Sequence, residues 1–164
     1  MKGEMSPVPS VRFERRLPGP IERVWQYLTD PEKLPEWFGQ GTIELCEGGQ
    51  VSLMDGHIRG IVTQCRPPHL LIYTWNVLAP GQTVSDYPES YLKLELEALE
   101  DGQILLTLTH LPILKRFEKQ NAMGWHTFLD LMENGVRGGP LKSRRDFMQA
   151  NASLYGVDLT QLAK

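Results

Sequence analysis

At 164 residues, with 41% apolar and 23% charged side chains, the chain has the composition of one folded domain and not of a disordered protein. A formal net charge of -3 removes the usual electrostatic reason to expect nucleic acid or an anionic membrane as the main partner. No signal-peptide core and no run of about 18 apolar residues is present, so we expect a cytoplasmic protein without a membrane span.

The first predicted elements are a strand and two short helices. Residues 1–9 contain two prolines and no periodicity, which is typical of a flexible lead-in to a domain covering residues 10–137. Residues 11–17 alternate between apolar and charged side chains and predict a strand that is broken by Pro18, Gly19 and Pro20. Helical spacing then covers residues 21–28, and Asp30 is a plausible N-cap for a second short helix over residues 31–38.

The central segment, residues 39–110, changes to a period of two and predicts about six strands joined as a meander. Turn-forming residues separate these strands at residues 48–49, 55–56, 67–68 and 101–102 and in a polar loop over residues 79–90. The clearest alternation places every second side chain on one face in the last two strands; these are Leu92, Leu94, Leu96, Ile104, Leu106, Leu108 and His110. An antiparallel sheet with one apolar face must pack against another layer.

A long helix is predicted after Pro112 and is expected to supply that layer. One side of it carries Phe117, Asn121, Gly124, Trp125, Phe128, Leu131, Met132 and Gly135. Residues 138–164 then form a C-terminal extension, with a helix from Leu141 to about Tyr155 and a short turn near Leu159. The extension is too short for a core of its own, so we expect it to pack on the domain.

Five motifs in order carry a resemblance to a known family: VWQYLTDPEKLPEWF (24–38), GG (48–49), GIVTQCRPPHLLIYTW (60–75), LLTLTH (105–110) and GWHTFLDLM (124–132). The chain resembles the START-like (SRPBCC) superfamily, in the branch of homologues of the activator of heat-shock-protein ATPase. The resemblance implies an α+β helix-grip fold, in which a curved antiparallel sheet of about seven strands wraps around the long C-terminal helix.

The resemblance decides the fold and leaves several activities open, because the superfamily includes lipid carriers, hormone receptors, polyketide cyclases and co-chaperone domains. The named co-chaperone carries an additional N-terminal chaperone-binding domain. Nine residues before the first strand are too few to supply that domain. We therefore do not expect activation of a heat-shock ATPase.

A cavity between sheet and helix is the predicted binding site for a small, mostly apolar molecule. The candidate ligand-binding residues are Trp37, Phe38, Leu71, Tyr73, Trp75, Leu106, Leu108, His110, Asn121, Gly124, Trp125 and Phe128. The aromatic members would form an apolar wall with a few polar contacts, the usual composition of such sites. For each single residue the alternative is ordinary core packing, and Trp37 and Phe38 are equally suited to a gate or a plug.

Catalytic motifs are scarce in this sequence. There is no HExxH motif, no His/Cys ligand array, no phosphate-binding glycine motif and no GxSxG, so we expect neither a metal nor a cofactor. His110 is a candidate general acid/base, with Tyr73 holding an oxyanion, and the alternative is a hydrogen-bonded structural histidine. Cys46 and Cys65 are interpreted as small, reduced core residues.

Three functions follow as hypotheses, of which the first is preferred. The protein binds a small apolar molecule as a carrier or sensor; it is a polyketide-cyclase-like enzyme; or it is a protein-interaction module that uses the exposed sheet face or the basic tail. A homodimer or another protein partner remains open in each case.

Overall fold

The described chain, residues 2–140 and 142–161 of a computed structural model, forms seven strands and three α-helices. The strands are β1 (Val11–Pro18), β2 (Gly41–Ile43), β3 (Gln50–Leu53), β4 (Ile58–Arg66), β5 (Leu70–Val77), β6 (Ser90–Ala98) and β7 (Gln103–Leu111). The helices are α1 (Ile21–Thr29), α2 (Glu118–Val136) and α3 (Arg144–Tyr155). Single 3-10 turns are formed by Leu34–Glu36, Lys115–Phe117 and Leu159–Gln161.

All strands belong to one antiparallel sheet with the order β1-β7-β6-β5-β4-β3-β2. The predicted inward alternation of β6 and β7 is confirmed, since Leu94 pairs with Leu108, Leu96 pairs with Leu106, and all four are buried. The sheet curves around α2, whose Trp125 belongs to the same buried core as the inward strand residues. The predicted α+β helix-grip fold is therefore confirmed.

Only one of the two short helices predicted after β1 is an α-helix. The segment that follows Asp30 forms turns and the 3-10 turn Leu34–Glu36 instead. Pro35 lies within this segment and has no N–H to donate to the carbonyl four residues earlier, so a regular helix cannot continue through it. Asp30 still initiates the turn, because its Oδ1 accepts a hydrogen bond from the Glu32 backbone N at 2.8 Å.

The long helix α2 is buried on two sides. Trp125 and Met132, from the predicted apolar stripe, pack into the core with the sheet. Thr127 is also buried, and it lies where α3 covers the helix, since Asn151 Nδ2 donates to Thr127 Oγ1 at 3.2 Å. Arg15 of β1 donates to Asp130 Oδ1 at 2.8 Å and so ties the helix to the first strand.

The C-terminal helix α3 has well-defined ends. Ser143 Oγ accepts a hydrogen bond from the Arg145 backbone N at 3.1 Å, which caps the helix start. Gly156 ends the helix with φ 65°, a left-handed conformation that glycine adopts without strain. Leu141, the predicted start of this helix, lies outside the described residues.

Within the described chain, no helix combines the length and apolarity needed to cross a bilayer.

The prediction of two core cysteines was wrong for Cys46, whereas Cys65 packs against the core. Cys46 is exposed in the turn between β2 and β3, where its carbonyl accepts from the Gly49 backbone N at 2.9 Å. Cys65, on β4, is only half-buried. Both are free thiols.

Candidate functional site

A pocket of about 460 Å³ opens at one end of the sheet, where β5, β6 and β7 meet the start of α2. The connection between β5 and β6 and the 3-10 turn before α2 complete its walls. The lining residues are His57, Trp75, Val77, Ala79, Gln82, Asp86, Tyr87, Pro88, Ser90, His110, Pro112, Ile113, Leu114, Phe117, Gln120 and Asn121. Small-molecule sites commonly have volumes of about 300 to 1,000 Å³ and mostly apolar walls, as here.

Two buried polar side chains, Ser90 and His110, meet in the wall of this pocket. Ser90 begins β6, and His110 lies near the end of β7, where it pairs with Leu92. Side chains two residues apart on a strand share a face, so Ser90 lies on the same inward side as Leu92 and diagonally across from His110. Ser90 Oγ is 2.7 Å from His110 Nε2.

Hydrogen bonding fixes the tautomer of His110. Trp125 Nε1 donates to His110 Nδ1 at 3.0 Å, and an indole N–H can only donate, so Nδ1 must carry a lone pair. The imidazole is therefore neutral with its proton on Nε2, and this N–H donates to Ser90 Oγ. Burial lowers the pKa of His110 from 6.5 to about 4, which agrees with the neutral form.

An aromatic cluster, defined as Trp37, Phe38, Trp75, Trp125 and Phe128, fills the space between sheet and helix behind the pocket. Ring centroids are 4.7 Å apart for Phe38 and Phe128, and 5.2 Å apart for Trp75 and Trp125. Trp37 Nε1 donates to the backbone carbonyl of Tyr27 on α1 at 2.6 Å, so the polar atom of this buried ring is paired. Such ring pairs stabilise the fold by about 0.5 to 1.5 kcal/mol each beyond burial alone.

Tyr73 lies beside this cluster and not in the pocket wall. Its ring stacks on Trp75 with centroids 6.3 Å apart, and the residue is 4% exposed. Burial raises the pKa of the Tyr73 hydroxyl, so it stays protonated. Because Ser90 and Trp125 engage the two ring nitrogens of His110, Tyr73 is not hydrogen-bonded to that imidazole.

The predicted ligand-binding residues fall into three groups. Those that line the pocket are Trp75, His110 and Asn121. Those that pack in the aromatic cluster behind it are Trp37, Phe38, Trp125 and Phe128. The remainder lie elsewhere on β5, β7 and α2; they are Leu71, Tyr73, Leu106, Leu108 and Gly124. Gly124 is half-buried, and a Cβ added there would meet no atom from outside its own stretch of helix within 4 Å.

The connection between β5 and β6 covers one side of the pocket and is stabilised by hydrogen bonds among its own residues. Gln82 Oε1 accepts from the Ala79 backbone N at 2.9 Å, and Gln82 Nε2 donates to Asp86 Oδ2 at 2.9 Å. Tyr87 meets the ring of Phe117 edge-on, with centroids 5.9 Å apart. Gln82, Tyr87 and Phe117 line the pocket but were not among the ligand-binding residues predicted from the sequence.

Ser90 was also missed, although a usable signal was present. It precedes Leu92, Leu94 and Leu96 in the same period of two, so the alternation that predicted their inward direction applied equally to Ser90.

Among residues 2–140 and 142–161, no group of three or more His, Cys, Asp or Glu side chains is placed to hold a metal ion.

Comparisons with known proteins agree with this architecture. CalU16 from Micromonospora echinospora is 27% identical, with a TM-score of 0.70 over 90% of this chain and 86% of that protein. The protein encoded by BPP1335 of Bordetella parapertussis is 24% identical, with a TM-score of 0.70 over 99% of this chain and 91% of that one. PFC0360w, an HSP90 activator from Plasmodium falciparum, is 22% identical, with a TM-score of 0.65 over 82% of this chain and 99% of that one. These last two likenesses show the fold alone.

A search of curated proteins found no match. The model of one family, described as Activator of Hsp90 ATPase homolog 1-like protein, matches residues 18–136, which include all of α1, α2 and the strands from β2 to β7. Because this match covers most of the chain, the protein belongs to the family of Activator of Hsp90 ATPase homolog 1-like proteins.

Proposed function

We propose that this protein binds a small, mostly apolar molecule in the pocket at the end of the sheet, as a carrier or sensor. The observation that carries the proposal is a pocket of about 460 Å³ that stays open beside a closely packed core. Apolar side chains such as Trp75 and Ile113 line it together with a few polar groups. This is the composition that small-molecule sites usually have.

Packing of the aromatic cluster limits where the ligand would lie. Phe38 and Trp125 are 2% and 4% exposed, and their stacked rings leave the interior behind Trp75 occupied by protein. The ligand would therefore lie between the pocket mouth and Trp75, and not deep between the sheet and the middle of α2. The binding site predicted from sequence is moved toward the start of that helix.

The hydrogen bonds of His110 argue against the cyclase-like enzyme. A general base needs a free lone pair, and the one on Nδ1 already accepts from Trp125 Nε1 at 3.0 Å. Nε2 carries a proton and so cannot deprotonate Ser90, 2.7 Å away. We therefore favour binding over catalysis for this pair of side chains.

A neutral fluorescent probe, N-phenyl-1-naphthylamine, tests whether the pocket binds apolar molecules. We expect saturable binding to the wild-type protein. In Gln120→Trp, a large ring enters the pocket from the first turn of α2, where Gln120 lines the wall. The affinity should then fall by about tenfold or more, equivalent to about 1.4 kcal/mol.

Lys119→Trp is the matched control for that experiment. Lys119 is exposed on the same turn of α2 but does not line the pocket, so the added ring should leave the affinity nearly unchanged. Probe emission on titration gives the dissociation constant of all three proteins. Equal affinities of the two variants would show that the probe binds elsewhere and would contradict the proposal.

A further inference from the structure

The hydrogen bonds at the inner wall of the pocket run in one direction. Trp125 Nε1 donates to His110 Nδ1 at 3.0 Å, and His110 Nε2 then donates to Ser90 Oγ, 2.7 Å away. Each group in this series of hydrogen bonds therefore donates to the next one, from Trp125 through His110 to Ser90. The last member, Ser90, lines the pocket, so the chain ends at the space available to a ligand.

The hydroxyl proton of Ser90 has only a poor partner within the protein. Ser90 Oγ lies 3.4 Å from the Trp75 carbonyl oxygen, whereas good O–H···O hydrogen bonds measure about 2.7 to 2.8 Å. Accepting a hydrogen bond from His110 also polarises the hydroxyl and makes it a better donor. An acceptor oxygen on a ligand in the pocket would therefore compete well for this proton.

The charges around the pocket disfavour an anionic acceptor. Among the described residues that line it there is no lysine or arginine, and Asp86 contributes a carboxylate. A ligand carboxylate next to Ser90 would lose its hydration without gaining a lysine or arginine partner, which is costly in an apolar site. An uncharged carbonyl oxygen avoids this cost and needs only the one donor.

We propose that Ser90 is a specificity-determining residue whose hydroxyl donates a hydrogen bond to an uncharged carbonyl oxygen of the ligand. The ligand class is then an apolar ketone, quinone or related carbonyl compound, with its oxygen directed inward. This inference rests on the proposed function, because it requires the same pocket to be occupied. His110 is then a positioning residue. Its two ring nitrogens bond to Trp125 and Ser90, so it orients the Ser90 hydroxyl and does not itself contact the ligand oxygen.

A matched pair of neutral probes tests the acceptor without any change to the protein. 2-Acetylnaphthalene and 2-isopropenylnaphthalene have nearly the same shape, but the second replaces the carbonyl oxygen by a methylene group. Isothermal titration calorimetry with the wild-type protein should show about tenfold tighter binding of the ketone. The anion 2-naphthoate should bind more weakly than the ketone.

Substitution at Ser90 then assigns the preference to its hydroxyl. Ser90→Ala should reduce the affinity for the ketone to that for the alkene, while the affinity for the alkene stays the same. Ser90→Thr retains a hydroxyl and should restore the preference. Thermal unfolding of each variant checks that it is folded. If Ser90→Ala does not fold, the comparison of ketone and alkene binding to the wild-type protein still tests the preference for a carbonyl oxygen.

The possible failures are distinguishable. Equal binding of ketone and alkene to the wild-type protein, or tighter binding of 2-naphthoate, would overturn the role of Ser90 and leave the pocket itself in place. An equal loss of both neutral probes in a folded Ser90→Ala protein would overturn it as well. Absence of binding by both neutral naphthalenes and by N-phenyl-1-naphthylamine would overturn the proposed function, and this inference with it.

Discussion

At the scale of single residues, the buried imidazole of His110 should make the folded protein sensitive to acid. Its pKa is lowered by burial to about 4 in the folded protein, whereas its ordinary value is 6.5. Between these values the unfolded chain binds the extra proton and the folded protein does not, so stability falls as pH falls. The loss from this group should be about 2 kcal/mol on going from pH 7 to pH 5.

Urea unfolding at several pH values measures this contribution when wild type is compared with His110→Gln. Glutamine carries no charge over this range, so the stability of the variant should depend less on pH, by about 2 kcal/mol between pH 7 and pH 5. At pH 7 the variant should be the less stable protein, because the bonds to Trp125 and Ser90 are disturbed. Parallel pH profiles for the two proteins would contradict a neutral buried His110.

The sequence predicted which polar residue faces inward on β7 but not how its ring is used. His110 followed from the alternation with Leu106 and Leu108, and its burial agrees with that prediction. Its hydrogen-bond partners come from α2 and β6, 15 and 20 residues away along the chain. Local periodicity holds no information about such contacts, so the tautomer and the role of Ser90 required the tertiary structure.

At the scale of elements, two glycines of α2 should respond in opposite ways to alanine. A Cβ at Gly124 would meet no atom from outside its own stretch of helix within 4 Å, whereas a Cβ at Gly135 would lie 2.7 Å from Tyr27 Cε1. Alanine favours a helix over glycine by about 1 kcal/mol, so Gly124→Ala should raise the free energy of unfolding by up to that amount. Gly135→Ala should lower it by about 1 to 3 kcal/mol, because the ring of Tyr27 must shift.

Each glycine variant serves as the control for the other, since both changes are identical and lie on one helix. Chemical denaturation of the two variants beside the wild type gives the free energies directly. A loss of stability in Gly124→Ala would contradict the open space beside that residue. No loss in Gly135→Ala would contradict the close packing of α2 against α1.

The sequence predicted the helix α2 and its core-facing side, but not which other element covers it. The apolar stripe of α2 correctly selected Trp125 and Met132 as core residues. It did not predict burial of Thr127, because that side of the helix is covered by α3 through Asn151. A polar residue is covered in this way only when a later segment folds back, which periodicity within the helix does not reveal.

At the scale of the whole molecule, the order of elements predicted the fold but not the position of the open space. Strand, helix, meander and long helix leave few ways to form one sheet around one helix, and the observed strand order is one of them. Whether aromatic side chains at the interface point into a void or onto each other depends on rotamers. Phe38 stacks on Trp125 and closes the centre, which leaves the pocket at the end of the sheet.

The C-terminal helix should contribute to stability through one arginine that contacts two separate parts of the domain. Arg144 Nη2 donates to the Phe38 carbonyl at 2.7 Å, and its guanidinium lies 4.8 Å from the centroid of the Phe128 ring. Arg144→Ala removes both contacts and should lower the free energy of unfolding by about 1 to 2 kcal/mol. Arg145→Ala is the matched control, because both arginines are exposed but the hydrogen bond of Arg145 to Ser143 uses only its backbone N. Urea unfolding should separate the two variants; equal stabilities would mean that Arg144 does not connect α3 to the aromatic cluster.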